Sequence, residues 1–294
     1  MQTEVKPDTN LRDFSDVVTT SLLTLYCRAL ESQSRDAIIV DPIALEMMEK
    51  FNDQLKDAKD RLTRKMVSGR VDKRLLVHIA LRSNYYDDTI REFLQRHPDG
   101  VIVNIGCGMD PRFPRIDNGR VILYDLDLPE VINAKKKFIE TTERYHMLAT
   151  SVLEHGWMDA VLQHGQRPTL FAAEGVFMYL DPAKVKKMIL TLQQRFPGSE
   201  MVFEVVNKRW VGGFMKKMTS FKMQKQLGLG KGAEFLFGIS PKDELESWHS
   251  GIQFLEDWSY FDTNHPKLGW MGIFRHSKLF RGTQYTVRYQ LNKT

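Results

Sequence analysis

The stretch Val101-Ile102-Val103-Asn104-Ile105-Gly106-Cys107-Gly108-Met109-Asp110 reads as a short buried strand running into a glycine turn. Val101, Ile102, Val103 and Ile105 are β-branched and apolar, as a central parallel strand requires. His97-Pro98-Asp99-Gly100 punctuates its start. Gly106 and Gly108 let the backbone bend sharply and approach a ligand closely. A second strand, Val121-Ile122-Leu123-Tyr124, ends in Asp125-Leu126-Asp127, with Asp127 21 residues beyond Gly106. A glycine turn, a crossover, a strand and an acid about twenty residues on is how an α/β sheet holds the ribose of a nucleoside cofactor. Asp125 is the alternative carboxylate for that role.

A dinucleotide site wants a third glycine three residues after the second, where a helix N-terminus meets pyrophosphate. Pro111 occupies that position. NAD is therefore disfavoured, and a nucleoside without phosphates fits better; S-adenosylmethionine is the common one.

Before the glycine strand the chain reads as helices. Residues 11–32 carry Leu22, Leu23, Tyr26 and Leu30 on one side, with Arg28 near the end. Asp41-Pro42 opens a short helix through Ile43, Leu45 and Met48. Residues 52–70 are charged and weakly patterned, helical and exposed at most. Residues 71–96 form the clearest helix, with Leu75, Ile79, Tyr86, Ile90 and Phe93 on one stripe. Arg82 lies on that stripe and needs a partner. Two readings stay open for it: a pair with a neighbouring carboxylate such as Asp87, or a clamp for an anionic group beside the glycine turn.

After Asp127, strands and helices alternate. A helix from Pro129 through Phe138 leads to a strand at Tyr145 to Ala149. Another strand, Thr169 to Ala173, ends at Glu174-Gly175. Asp181-Pro182 caps a helix to Phe196, and the next strand runs from Met201 to Val206. The rhythm predicts a mainly parallel sheet with helices on both faces. It breaks at residues 207–240, read as a helical insertion over the strand ends. A helix from Pro241 to Ser250 and strands near Phe254 to Phe261 and Gln284 to Leu291 follow. In the last strand Tyr285, Val287, Tyr289 and Leu291 alternate with Thr286, Arg288 and Gln290. The whole is a single domain: an extension over 1–70, a cofactor core over 71–206, a lid over 207–250 and terminal strands over 251–294.

Composition limits the partners. Apolar content of 42% and charged content of 27% suit a globular protein with a core. A net charge of +5 without a basic block does not argue for nucleic acid. No apolar run approaches membrane-spanning length. Two cysteines, Cys27 and Cys107, without metal-ligand spacing suit a reduced, cytoplasmic setting.

Six separated blocks, in order, resemble the leucine carboxyl methyltransferase family. They are Leu25-Tyr26-Cys27-Arg28-Ala29-Leu30-Glu31-Ser32 with Asp41-Pro42, Leu81-Arg82-Ser83 with Asp87-Asp88, Asn104 through Phe113, Asp125-Leu126-Asp127-Leu128-Pro129, Ala173 through Leu180, and Phe254-Leu255-Glu256-Asp257-Trp258. The chain looks closer to the small-molecule branch, which includes polyketide O-methyltransferases, and the likeness runs from Leu11 to Leu291. The resemblance implies a Rossmann-like class I methyltransferase fold with an antiparallel C-terminal strand, S-adenosylmethionine as cofactor and a carboxylate acceptor. By motif position, Arg82 and Arg28 would hold the cofactor's carboxylate, and Gly106 would line it. Asp127 would take the ribose hydroxyls. Glu174 would sit near the sulfonium or amino group, and Ser151 and Val152 would meet the adenine. In the protein-methylating branch an aspartate stands in place of Ser151, so a plain loop serine is an equal reading.

A carboxylate acceptor is already ionised at pH 7 and needs no general base. The sequence accordingly shows no nucleophile elbow, no phosphate loop and no His pair at metal spacing. Tyr179 either orients an acceptor or packs at a helix start. Lys216, Lys217 and Lys222 either draw an anion to the mouth or form a solvated face. The expected function is O-methylation of a small carboxylic acid. The alternatives are methylation of a protein C-terminus and a non-catalytic cofactor-binding protein.

Overall fold

The computed structural model describes residues 16–212 and 234–293. Residues 11–15 of the expected first helix and 213–233 of the expected insertion, including Phe214, Phe221 and the three lysines above, lie outside the described residues.

Four helices precede the sheet: α1 (Asp16–Ser32), α2 (Pro42–Leu55), α3 (Arg61–Val67) and α4 (Lys73–Arg96). The weakly patterned stretch after residue 52 resolves into the end of α2 and all of α3. Asp41 caps α2 by accepting the Ala44 N–H at 3.0 Å, with Pro42 at the first helical position. Asp72 does the same for α4, accepting from Arg74 and Leu75. Leu22, Leu23 and Tyr26 of α1 pack with Met47, Met48 and Phe51 of α2 and Ile79 of α4, so the N-terminal helices share one core.

The sheet comprises β1 (Val101–Ile105), β2 (Ile122–Asp127), β3 (Tyr145–Ala149), β4 (Thr169–Ala173), β5 (Ser199–Asn207), β6 (Gly238–Ile239), β7 (Ile252–Trp258) and β8 (Gln284–Leu291). Its order is β3-β2-β1-β4-β5-β8-β7, with β6 pairing β5. β1 through β5 are mutually parallel; β8 is antiparallel to both β5 and β7. Strand alternation sends Val103, Phe171 and Phe203 toward Ile189 and Leu192 of α5 (Pro182–Arg195). It sends Ile102, Leu170 and Val202 toward Tyr86, Ile90 and Phe93 of α4. Strand order reverses at β1, between β2 and β4, and ligands bind outside the carboxyl ends of the strands at such a point.

Two local expectations are corrected. Residues 241–250 form only a 3-10 turn at Glu244–Trp248. Two of its acids are used elsewhere: Glu244 accepts the Ser240 N–H at 2.9 Å and Glu246 the Phe254 N–H at 2.7 Å. The strand expected near Phe254 to Phe261 stops at Trp258, and Tyr260–Asp262 is a capped turn. Both faces of β8 are buried: Tyr285, Val287, Tyr289 and Leu291 on one, and Thr286 and Arg288 on the other, where Arg288 is neutralised by Glu200 at 2.6 Å.

Candidate cofactor site

At the end of β1 the chain turns through Gly106 (φ +62°) and Gly108 (φ +53°), both in the left-handed region that favours glycine. A Cβ on Gly106 would lie 2.2 Å from Cγ2 of Val176, so the turn is also packed too closely for a side chain. The Gly106 N–H donates to the Leu126 carbonyl at 2.7 Å, and the Gly108 N–H donates to Oδ2 of Asp127 at 2.7 Å. Oδ1 of Asp127 accepts the Leu128 N–H at 2.7 Å. The Asp127 carboxylate is thus fixed across the ends of β1 and β2, half-buried, with a lone pair left on each oxygen. Burial pushes its pKa up against those two N–H donors. Only a four-residue helix, Phe113–Ile116, follows the turn, so no long helix N-terminus faces a pyrophosphate here.

Asp125 does not share this position. It is fully buried and engaged by Lys135 Nζ at 2.6 Å, Asn104 Nδ2 at 2.8 Å and the Tyr145 hydroxyl at 2.5 Å. Its carboxylate neutralises a buried lysine, which leaves Asp127 as the carboxylate at the strand end. The loop after β3 joins Asp127 through the Thr150 N–H, which donates to the Asp127 carbonyl at 3.0 Å. Ser151 and Val152 follow directly. Ser151 Oγ accepts the Leu153 N–H at 3.2 Å, and the Val152 carbonyl accepts from Trp157 Nε1 at 3.1 Å.

On the α4 side of the turn lies a continuous buried ion network. Arg28, Arg82, Arg112 and Arg115 face Asp41, Asp87, Asp110, Glu174 and Glu204: four guanidinium groups against five carboxylates. Asp87 is not the partner of Arg82. It binds Arg112 at 3.0 Å and Arg115 at 2.7 Å. Arg82 instead reaches across the sheet, its Nε to Glu174 at 2.9 Å and its Nη1 to Glu204 at 2.8 Å. Glu174 also accepts from Ser83 Oγ at 3.0 Å and Arg112 Nη2 at 2.6 Å. Burial raises the Glu174 pKa, but Arg82 and Arg112 outweigh it and hold the carboxyl down at about 2. Arg28 sits behind the turn, 3.4 Å from Asp41 and 3.5 Å from Asp110, and donates to the Met109 carbonyl. Arg28 Nε and Arg112 Nη1 are buried without a hydrogen-bond partner.

The structure therefore joins Arg28, Arg82 and Glu174 through one network and places Gly106, Asp127, Ser151 and Val152 around the ends of β1 to β3. Tyr179 lies on the turn Phe177–Tyr179 after β4, its ring 5.6 Å from Phe235. Burial and then Glu204 push its phenol up to about 12. Sequence reasoning missed Arg112, Arg115 and Glu204. The signal for the first two was their place directly after the glycine turn. For Glu204 it was an acid inside the apolar run Met201 to Val206.

An S-adenosylmethionine molecule fits these residues. It carries a sulfonium and an ammonium against one carboxylate, and the network has one carboxylate in excess. The orphaned guanidinium donors suit its carboxylate, and the open lone pairs of Asp127 suit a diol.

The sequence profile of the leucine carboxyl methyltransferase family matches residues 21–193. The chain is 29% identical over 245 residues to the tetracenomycin polyketide synthesis O-methyltransferase TcmP of Streptomyces glaucescens, covering 83% of each chain. It is 23% identical to the S-adenosyl-L-methionine-dependent methyltransferase dpfgK of Gibberella zeae, covering 81% of this chain and 80% of that one. A duf574 family protein from Streptomyces avermitilis superposes with a TM-score of 0.50 at 10% identity, over 82% of this chain and 95% of that one, a likeness of fold alone. The chain belongs to the leucine carboxyl methyltransferase family and is an S-adenosylmethionine-dependent methyltransferase.

Proposed function

We propose that the protein methylates an oxygen of a small molecule, the carboxylate of a polyketide-like acid. The observation that carries this reading is the similarity to a polyketide O-methyltransferase over 83% of both chains. S-adenosylmethionine, when bound, supplies an electrophilic methyl group on sulfur. Asp127 accepts the ribose hydroxyls, using the lone pairs that Gly108 and Leu128 leave free. Gly106 keeps the turn open to the nucleoside, and Ser151 and Val152 flank the adenine. Arg82 and Arg28 hold the amino-acid carboxylate, while Glu174, ionised through the neutral range, holds the cationic end. The protein then has to align the acceptor oxygen and exclude water, because an ionised carboxylate is already nucleophilic. Incubation with methyl-labelled cofactor and 2-naphthoic acid, followed by mass spectrometry, tests this. A labelled methyl ester is expected. Label transferred only to nitrogen, or only to a peptide C-terminus, contradicts it.

A further inference from the structure

Arg82 has two faces. Its Nε side holds Glu174, and its Nη1 side holds Glu204, a carboxylate only 3% exposed on β5. Around Glu204 lies a second cluster. Gln284 of β8 donates to Oε1 at 2.7 Å, while Arg82 occupies Oε2, so the carboxylate cannot rotate. His78, one helical turn before Arg82 on α4, brings Nε2 to 4.0 Å from Oε1. Its ring is stacked on Tyr260 with centroids 4.4 Å apart and planes 28° apart. The side chain of His78 is 22% exposed. The carboxylate therefore lies behind, the imidazole lies in front, and an aromatic ring sets the imidazole's plane. This is the order of parts in a histidine activated by a buried acid. Nε2 stands about 1 Å beyond hydrogen-bond reach, a gap of the kind that closes when a site fills.

We propose that His78, backed by Glu204, accepts the proton of a hydroxyl acceptor, so that the protein also forms aryl methyl ethers. The inference rests on the O-methyltransferase reading above. The acceptor's O–H bond breaks and its proton goes to Nδ1 of His78. The Nε2 proton of the same ring turns toward Glu204. The oxygen electron pair forms the bond to the methyl carbon, and the pair of the broken carbon–sulfur bond stays on sulfur, which becomes a neutral thioether. Glu204 is already paired with Arg82 and Gln284, so its charge does not bar a carboxylate acceptor, and the neutral imidazole adds an acceptor for an O–H group. Burial and the Arg82 charge push the His78 pKa down to about 3, so the imidazole is neutral at pH 7 and a weak base, which takes the proton only as the new bond to the methyl carbon makes the acceptor's O–H strongly acidic. Burial raises the Glu204 pKa against Arg82, which makes it a better proton partner than an ordinary carboxylate. The phenols of Tyr179 and Tyr260 are both raised to about 12 by burial and then by Glu204, so they remain protonated at pH 7.

The test uses two probes of one shape, 2-naphthol and 2-naphthoate, on wild type and His78→Phe, each first shown to bind S-adenosylhomocysteine. If His78→Phe does not bind it, His78→Gln takes its place. Calorimetry on the S-adenosylhomocysteine complex reads probe binding, and mass spectrometry with the full cofactor reads ether and ester. Wild type is expected to bind the naphthol and form its methyl ether. In the variant, naphthol affinity relative to naphthoate falls about tenfold, and the ether-to-ester ratio falls at least as much. Ester without ether from wild type overturns the inference and leaves the proposed function standing. Ether formation with an unchanged ratio in the variant overturns the role of His78. Neither product, with S-adenosylhomocysteine bound, overturns both.

Discussion

The Gly108 N–H points at Oδ2 of Asp127 from 2.7 Å, so the turn after β1 and the acid at the end of β2 hold each other in place. The site is thereby preorganised before any ligand arrives. On the proposed ribose role, Asp127→Ala would remove two charge-assisted contacts, each worth about 1.5–3 kcal/mol. S-adenosylhomocysteine affinity measured by calorimetry should drop at least roughly tenfold. The apo melting point should fall slightly as well, because two backbone N–H groups lose their acceptor.

Gly106 is constrained by its backbone and by its neighbour. Gly106→Ala should destabilise the fold by about 2 kcal/mol or more, from the left-handed φ and from the contact with Val176. Val176→Ala in the same chain removes the contact and not the φ cost. Chemical denaturation should therefore show partial rescue in the double variant; complete rescue or none would contradict the two-part cause.

Lys135 and Asp125 form a fully buried pair at 2.6 Å. Lys135→Met leaves a buried carboxylate unpaired and should cost about 3–5 kcal/mol of stability. Asp125→Asn should likewise act on the denaturation midpoint. A selective loss of S-adenosylhomocysteine binding at full stability would mean that Asp125, not Asp127, meets the ribose.

Glu174 gives a pH signature. Its folded pKa, about 2, lies below the ordinary 4.5. The stability it contributes is complete above about pH 4.5 and is lost as pH falls through its folded value. Glu174→Gln should be less stable than wild type at pH 7, and its stability should fall less steeply between pH 4.5 and 2. Parallel curves over that window would mean that the carboxyl is not held down by Arg82 and Arg112.

Much of this was legible in sequence because its causes are local. β3 and β4 follow from short apolar runs, and Asp41 and Asp181 cap their helices as their positions before Pro42 and Pro182 predict. The glycine turn and the strand-end position of Asp127 were legible, and the two meet at the ends of β1 and β2. The wiring of the charges was not legible. The partners of Arg82 are 92 and 122 residues away, one just past the end of β4 and one on β5, whereas Asp87, one and a half turns along the same helix, is taken by Arg112 and Arg115. Asp125 and Asp127 are equivalent as letters. Two residues apart on β2, they point to the same face, and only the packing of Lys135 and Tyr145 shows which one is buried. The single turn at Glu244–Trp248 was misread because its acids serve backbone groups elsewhere, a use that periodicity cannot display.

The central claim is that the Arg82 network receives the amino-acid end of S-adenosylmethionine. Arg82→Met, once circular dichroism shows it folded, should be titrated with two ligands: S-adenosylhomocysteine, which has the carboxylate, and methylthioadenosine, which lacks it. The account predicts a loss of about 2 kcal/mol or more for the first and little change for the second. Equal losses for both ligands would contradict it, and would make Arg82 a strut between Glu174 and Glu204 that never touches the cofactor.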